Sequence, residues 1–414
     1  MIPFGEFGFF LPVIILAIPA IILGLKGRTI RWYNLIISIY MVYNILSGMH
    51  VAREHFLLFF VFEWFIIKGY SYLRQRKNLT VFYFLALIGS FLPLVFEKRL
   101  IPGINFIGFL GISYLTFKCV QMVMEIKDGL IEKVKFFDFA SFMFFFPTLS
   151  SGPIDRFRRF TKDLATKPSG EEYRELLLKG IQKIFLGFLY KFIIGFLVKT
   201  YWLDPIGSSH SFLTTMNYMY AYTMYLFFDF AGYSSFAVGT SYVLAIRTPD
   251  NFNKPFISSS IKDFWNRWHM TLSTWFRDYV YMRLIYYFVK KKIRINKYVL
   301  SYIGYFLLFG LMGLWHGSDL FYIVYGLYHA VMMTGFDVFS QLNKDWKLWG
   351  SGKGWNLLSI LVTFHFVCFG FLIFSGHIGY LNWVLLLIII PLTILLFMIQ
   401  IIQSAHKKLE MQKA

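Results

Sequence analysis

Stretches of roughly twenty mostly apolar residues recur along the whole chain, and this recurrence constrains the fold more than any other feature. Each stretch can cross the hydrocarbon of a bilayer as a helix, because a helix satisfies its own backbone groups where no water can. Candidate spans are residues 8–25, 30–47, 56–73, 80–96, 104–124, 177–199, 214–246 (long enough for two segments), 298–315, 319–339, 357–375 and 380–403. The stretch 136–150 is apolar but short, which suits a re-entrant segment or one buried in protein. The expected fold is an all-α polytopic membrane protein with about eleven transmembrane helices. Composition agrees: 57% of the residues are hydrophobic and 15% charged, where a soluble domain carries about 25% charged residues. No internal repeat, low-complexity tract or soluble domain interrupts residues 1–414, so a single membrane-embedded domain is expected.

The formal net charge of +19 belongs to the short links between apolar runs, as the positive-inside rule describes for cytoplasmic loops. This placement points to anionic lipid and acidic partners and away from nucleic acid. Lys26, Arg28 and Arg31 follow the first span, and Lys68, Arg74, Arg76 and Lys77 follow the third. Both links are therefore expected inside, with the N-terminus outside. Lys407, Lys408 and Lys413 place the C-terminus inside. The two cysteines, Cys119 and Cys368, are isolated in apolar runs and form neither a disulfide framework nor a metal motif.

Two links are long and polar, 151–176 and 247–297, and links of that length often carry function. The chemistry-bearing residues lie in and around the second. His316, in Gly310-Leu311-Met312-Gly313-Leu314-Trp315-His316-Gly317, ends an apolar run near membrane depth, where an ionisable residue is expensive and marks function by default. A neutral imidazole can take a proton from an attacking hydroxyl and return it to a leaving group; a hydrogen-bonded core histidine is the bland alternative. His269 lies in Asp263-Phe264-Trp265-Asn266-Arg267-Trp268-His269-Met270. Read as one helix, this segment puts Asn266, His269, Ser273 and Arg277 on one face, with Trp265, Trp268, Leu272 and Phe276 beside them. Such a face can line a polar tunnel, or it can lie on the membrane surface. Asp229 is an intramembrane acid that can orient a donor, pair with an arginine or mark a proton path. Met282, Ile285 and Tyr286 share one helical face, and Lys290 and Lys291 open a basic cluster after it. That arrangement can dock an acidic partner with an apolar centre, or snorkel among lipid phosphates. No three ligands stand at a metal-site spacing.

Several of these segments resemble the membrane-bound O-acyltransferase family. Gly111 to Phe117 is similar to its GISYLTF stretch, Ser151 to Phe157 to its SGPIDRF link, and Phe227 to Ser234 to its FFDFAGYS segment. Asn251 to Phe256, followed by Phe264 to His269, resembles the family core, and Trp315-His316-Gly317 with Tyr325-Gly326 and Tyr328-His329 resembles the last block. The resemblance runs from about residue 100 onward and is carried by the order of the five segments. It implies helices around a central tunnel, with His316 catalytic and His269, an Asn in many relatives, as the second active-site residue. Trp265, Trp315, Asn266, Ser273, Arg277 and Asp229 are then expected along the tunnel.

The similarity is greatest to the branch that D-alanylates teichoic acid in the plasma membrane of Gram-positive bacteria. For that branch it implies a donor held as a phosphopantetheine thioester on a small acidic D-alanyl carrier protein, docked through Met282, Ile285, Tyr286, Lys290 and Lys291. It also implies a teichoic acid acceptor outside, a DltD-like partner and a small membrane peptide, and no tightly bound cofactor or metal. O-acetylation of an exported polysaccharide, or a transporter or flippase without chemistry, stands as the alternative.

Overall fold

A computed structural model describes residues 2–48, 51–98, 108–207 and 211–377, with Leu392 and Leu395. Among these residues there are helices and turns and no strand. The expected span 380–403, the basic tail and the first part of 104–124 lie outside the described residues. In chain order the helices are α1 (Phe7–Leu25), α2 (Arg31–Ile45), α3 (Ala52–Arg76), α4 (Thr80–Glu97), α5 (Ile112–Lys127), α6 (Phe136–Phe144) and α7 (Phe157–Ala165). Next, α8 (Gly170–Gly187) continues through a π-wound stretch (Phe188–Gly195) into α9 (Phe196–Val198) and a second π-wound stretch (Lys199–Leu203). The series closes with α10 (Phe212–Val243), α11 (Ile261–Trp265), α12 (Met270–Phe276), α13 (Met282–Lys290), α14 (Lys297–His316), α15 (Leu320–Trp346) and α16 (Lys353–Phe374).

Six described helices are long and apolar enough to cross a membrane: α1, α3, α4, the run Gly170–Ile206, α14 and α16. Their side chains are largely left facing outward, with 11–39% of each apolar window buried inside the protein. Outward apolar surface on that scale needs lipid as its solvent, so the chain is a multi-pass membrane protein. The run 214–246, long enough for two segments, is one helix of 32 residues.

The helices fall into two compact units, Met1–Phe196 with Phe227–Asn251, and Leu197–Leu226 with Phe252–Ala414. In the first, phenylalanine rings interlock: Phe10 lies 4.7 Å from Phe236 and 4.8 Å from Phe188. Its polar interior is organised by α5. Lys118, fully buried, donates from Nζ to the Phe142 carbonyl and to Thr148 Oγ1, both at 3.1 Å. Gln121 donates to the Asp155 carbonyl at 2.7 Å and accepts from Arg156 at 2.9 Å. A buried lysine is tolerable only with such partners, and these bind the short apolar stretch 136–150 and the link after it inside the protein. Gly111 starts α5 with φ +96° and a backbone so close to the Leu149 carbonyl that a Cβ would overlap it.

In the second unit α14 and α15 meet through small residues. A Cβ on Gly313 would lie 2.5 Å from the Tyr322 carbonyl oxygen, and one on Gly326 would overlap the Phe309 carbonyl. Close backbone approach of this kind is how helices associate in lipid, where burial of apolar surface gives no drive.

Candidate active site

The site is built where α11 stops. Ser260 caps α11, accepting from the Asp263 N–H at 3.2 Å, and Arg267 donates back to Asp263 at 2.8 Å. The helix ends at Trp265, and His269 takes a left-handed conformation (φ 42°, ψ 51°) before α12 begins at Met270. The single continuous helix expected over this segment is therefore broken, and His269 does not share a helical face with Asn266, Ser273 and Arg277. No glycine, asparagine or proline at position 269 marks the turn, although histidine tolerates this region better than most residues.

Behind the break lies a cavity of about 400 Å³. Lys262, Asn266, Ser273, Thr274 and Arg277 make its polar wall. Trp265, Tyr281, Tyr305 and Phe309 supply rings, and Met270, Leu308, Met312 and Met333 supply aliphatic surface. Four of the residues expected along a tunnel, Trp265, Asn266, Ser273 and Arg277, thus come together in one cavity, although the helix used to group three of them does not exist. The other two are elsewhere. Trp315 packs on His316, with ring centroids 4.7 Å apart. Asp229 is absent from this cavity and belongs to the first unit, where it pairs with Lys191.

His316 is the last residue of α14 and is partly exposed. Beyond Trp315 its imidazole contacts Phe374 at 4.9 Å, Tyr325 at 6.0 Å and Tyr322 at 6.1 Å. Met312, one turn earlier on the same helix, lines the cavity. His269 is 4% exposed and close enough to His316 for the two charges to interact. Burial chiefly, and His316 in addition, hold the His269 imidazole down at about 3, so it is neutral at physiological pH. A neutral ring can still donate one N–H to a developing oxyanion.

Sequence reasoning passed over three residues that converge on the cavity wall. Lys262 of α11 pairs with Asp337 of α15, and Tyr305 of α14 donates to the other oxygen of the same carboxylate at 3.0 Å. Residues 262, 305 and 337 share no local pattern, and helix packing alone brings them together. His329, fully buried, stands edge-on to Trp265 at 5.0 Å and forms the layer behind it. No group of three or more possible metal ligands exists among the described residues.

On α13, Met282 and Tyr286 are exposed and Ile285 is half-buried, and the helix buries none of its residues. Lys290 Nζ stands 5.7 Å over the Tyr286 ring, so the apolar face and the basic cluster form one surface.

A family model described as MBOAT, membrane-bound O-acyltransferase family, matches residues 47–381. A teichoic acid D-alanyltransferase of Bacillus subtilis (strain 168) is 50% identical over 388 residues, covering 91% of this chain and 98% of that protein. A protein of the same description from Lacticaseibacillus rhamnosus is 40% identical, covering 91% and 97%. A probable alginate O-acetylase of Pseudomonas fluorescens is 33% identical, covering 69% of this chain and 53% of that protein.

Proposed function

The chain belongs to the membrane-bound O-acyltransferase family, and from that premise we propose that it transfers a D-alanyl group from a phosphopantetheine thioester on a carrier protein to hydroxyls of teichoic acid. The observation that carries this reading is the cavity lined both by Arg277 and Tyr281, just before α13, and by Met312, one turn short of His316. An amphipathic cleft of this kind suits a long arm bearing both amides and methyl groups. The acetyl-transfer alternative has less behind it: the alginate relatives are less identical and match this chain over about half their own length.

His316 acts as general base. It takes the proton of the acceptor hydroxyl as that oxygen attacks the thioester carbonyl. The tetrahedral intermediate collapses with loss of the thiolate, a C–O bond replacing the C–S bond. His316 then returns its proton to the sulfur. His269, held neutral, donates to the carbonyl oxygen as negative charge develops there. The carrier docks through Met282, Ile285 and Tyr286 with Lys290 and Lys291 around them, a basic rim and apolar centre for an acidic partner. This surface faces the cytoplasm, and acceptor, DltD-like partner and small membrane peptide meet the protein from the outer side and within the bilayer. No resident cofactor or metal takes part.

The test is transfer of radiolabelled D-alanine from loaded carrier into membranes, comparing wild type with His316→Ala at matched expression. Loss of transfer with carrier binding intact is expected. Retained transfer would remove His316 as the catalyst.

A further inference from the structure

We propose that Lys262, held in place by Asp337 and Tyr305, anchors the phosphodiester at the root of the donor arm while the thioester at its tip lies beside His316. This rests on the phosphopantetheine donor proposed above and identifies the groups that recognise it.

The first ground is an ion pair that the transfer chemistry does not use. Lys262 lines the cavity, with its side chain 36% exposed. A partly desolvated ion pair stabilises a fold little, yet this one is fixed from three helices. An ammonium has three N–H donors, and Asp337 engages only part of that capacity. Arg277 lines the same cavity and donates from Nε to Asp278 at 2.9 Å. A guanidinium fork matches phosphate oxygens. Each cation already has a carboxylate, so the pairing orders the cations and a phosphodiester adds to them as a further acceptor.

The second ground is length. Tyr305 and His316 are eleven residues apart on α14, which is about 16 Å along the helix axis at about 1.5 Å per residue. From phosphorus to sulfur the arm has about thirteen bonds, roughly 15 Å at the ~1.2 Å per bond of an extended chain. A phosphodiester at the level of Tyr305 and its partner Asp337 therefore delivers sulfur to the level of His316 with the arm extended. The same cavity offers Asn266, Ser273 and Thr274 to the amides, and Leu308 and Met312, between 305 and 316 on α14, to the methyl groups.

The experiment measures inhibition of carrier-dependent D-alanyl transfer by free phosphopantetheine and by pantetheine, which lacks the phosphate. In the wild type, phosphopantetheine is expected to inhibit at least about tenfold more tightly, the worth of one charge-assisted hydrogen bond. Lys262→Met should bring the two inhibitors together, and Lys262→Arg should keep them apart. Equal inhibition in the wild type, no inhibition by either compound, or full discrimination in Lys262→Met overturns the anchor while carrier-dependent transfer still stands. Absence of carrier-dependent transfer in the wild type overturns the donor reading and the anchor with it. The wild-type arm does not depend on any variant folding.

Discussion

The seam between α14 and α15 yields the sharpest physical prediction, because two glycines one turn apart on α14 should respond in opposite ways. Gly310→Ala adds a methyl group with no atom within 4 Å, whereas the methyl of Gly313→Ala would sit 2.5 Å from the Tyr322 carbonyl oxygen and 3.4 Å from Ile323 Cα. An ordinary carbon–oxygen contact is about 3.3 Å, so the helices must part by roughly 0.8 Å. The obstacle is backbone, which cannot rotate aside as a side chain does. Both variants gain the helix propensity of alanine over glycine, worth up to about 1 kcal/mol. Their difference therefore isolates the clash, expected at about 1–3 kcal/mol. Gly313 is three residues before His316, the proposed general base, and a displacement of nearly 1 Å at a reacting group can cost about a hundredfold in rate. Stability can be followed in detergent with a thiol-reactive dye, since Cys119 and Cys368 are both buried and react only on unfolding. Turnover can be followed by D-alanyl transfer. Gly310→Ala should match or slightly exceed wild type in both assays, and Gly313→Ala should lose stability and most turnover. If the two variants behave alike, the close approach at Gly313 does not set the position of His316.

Two further predictions concern His269 and the proposed docking face on α13. The His269 imidazole is held near 3 in the folded protein against about 6.5 when unfolded, so the unfolded state binds a proton that the folded state refuses. Stability is then independent of this group above pH 6.5 and falls by about 1.4 kcal/mol per pH unit below it, until about pH 3. Unfolding at pH 7.5 and 5.5 should show wild type losing about 1 kcal/mol more than His269→Asn; equal losses would contradict the burial of this ring. Met282→Glu, at an exposed position on α13, should raise the KM for loaded carrier at least about tenfold through charge repulsion and lost apolar contact, with kcat little changed. An unchanged KM would place the carrier elsewhere.

The individual segments explain which properties were legible in advance. Hydropathy is a residue-by-residue preference for solvent, so the membrane character of α1, α3, α4, α14 and α16 could be read directly from runs of apolar side chains. An ionisable residue at membrane depth is conspicuous for the same reason, and His316 stood out at the end of α14. The i, i+3, i+4 spacing of Met282, Ile285 and Tyr286 is local and lies on one continuous helix, which kept their grouping intact. His269 behaved differently. Its left-handed backbone has no glycine or proline to announce it, and a helical period carried across it grouped side chains that the turn separates. The sequence could not indicate which distant residues would share a wall. Lys262, Tyr305 and Asp337 meet because α14 and α15 approach closely through Gly313 and Gly326 and because α11 ends in time to lie against them. Partition between water and lipid was thus determined by the sequence on its own. The placement of Lys262, the cavity and the two histidines relative to one another was decided by backbone packing between helices, which no single segment encodes.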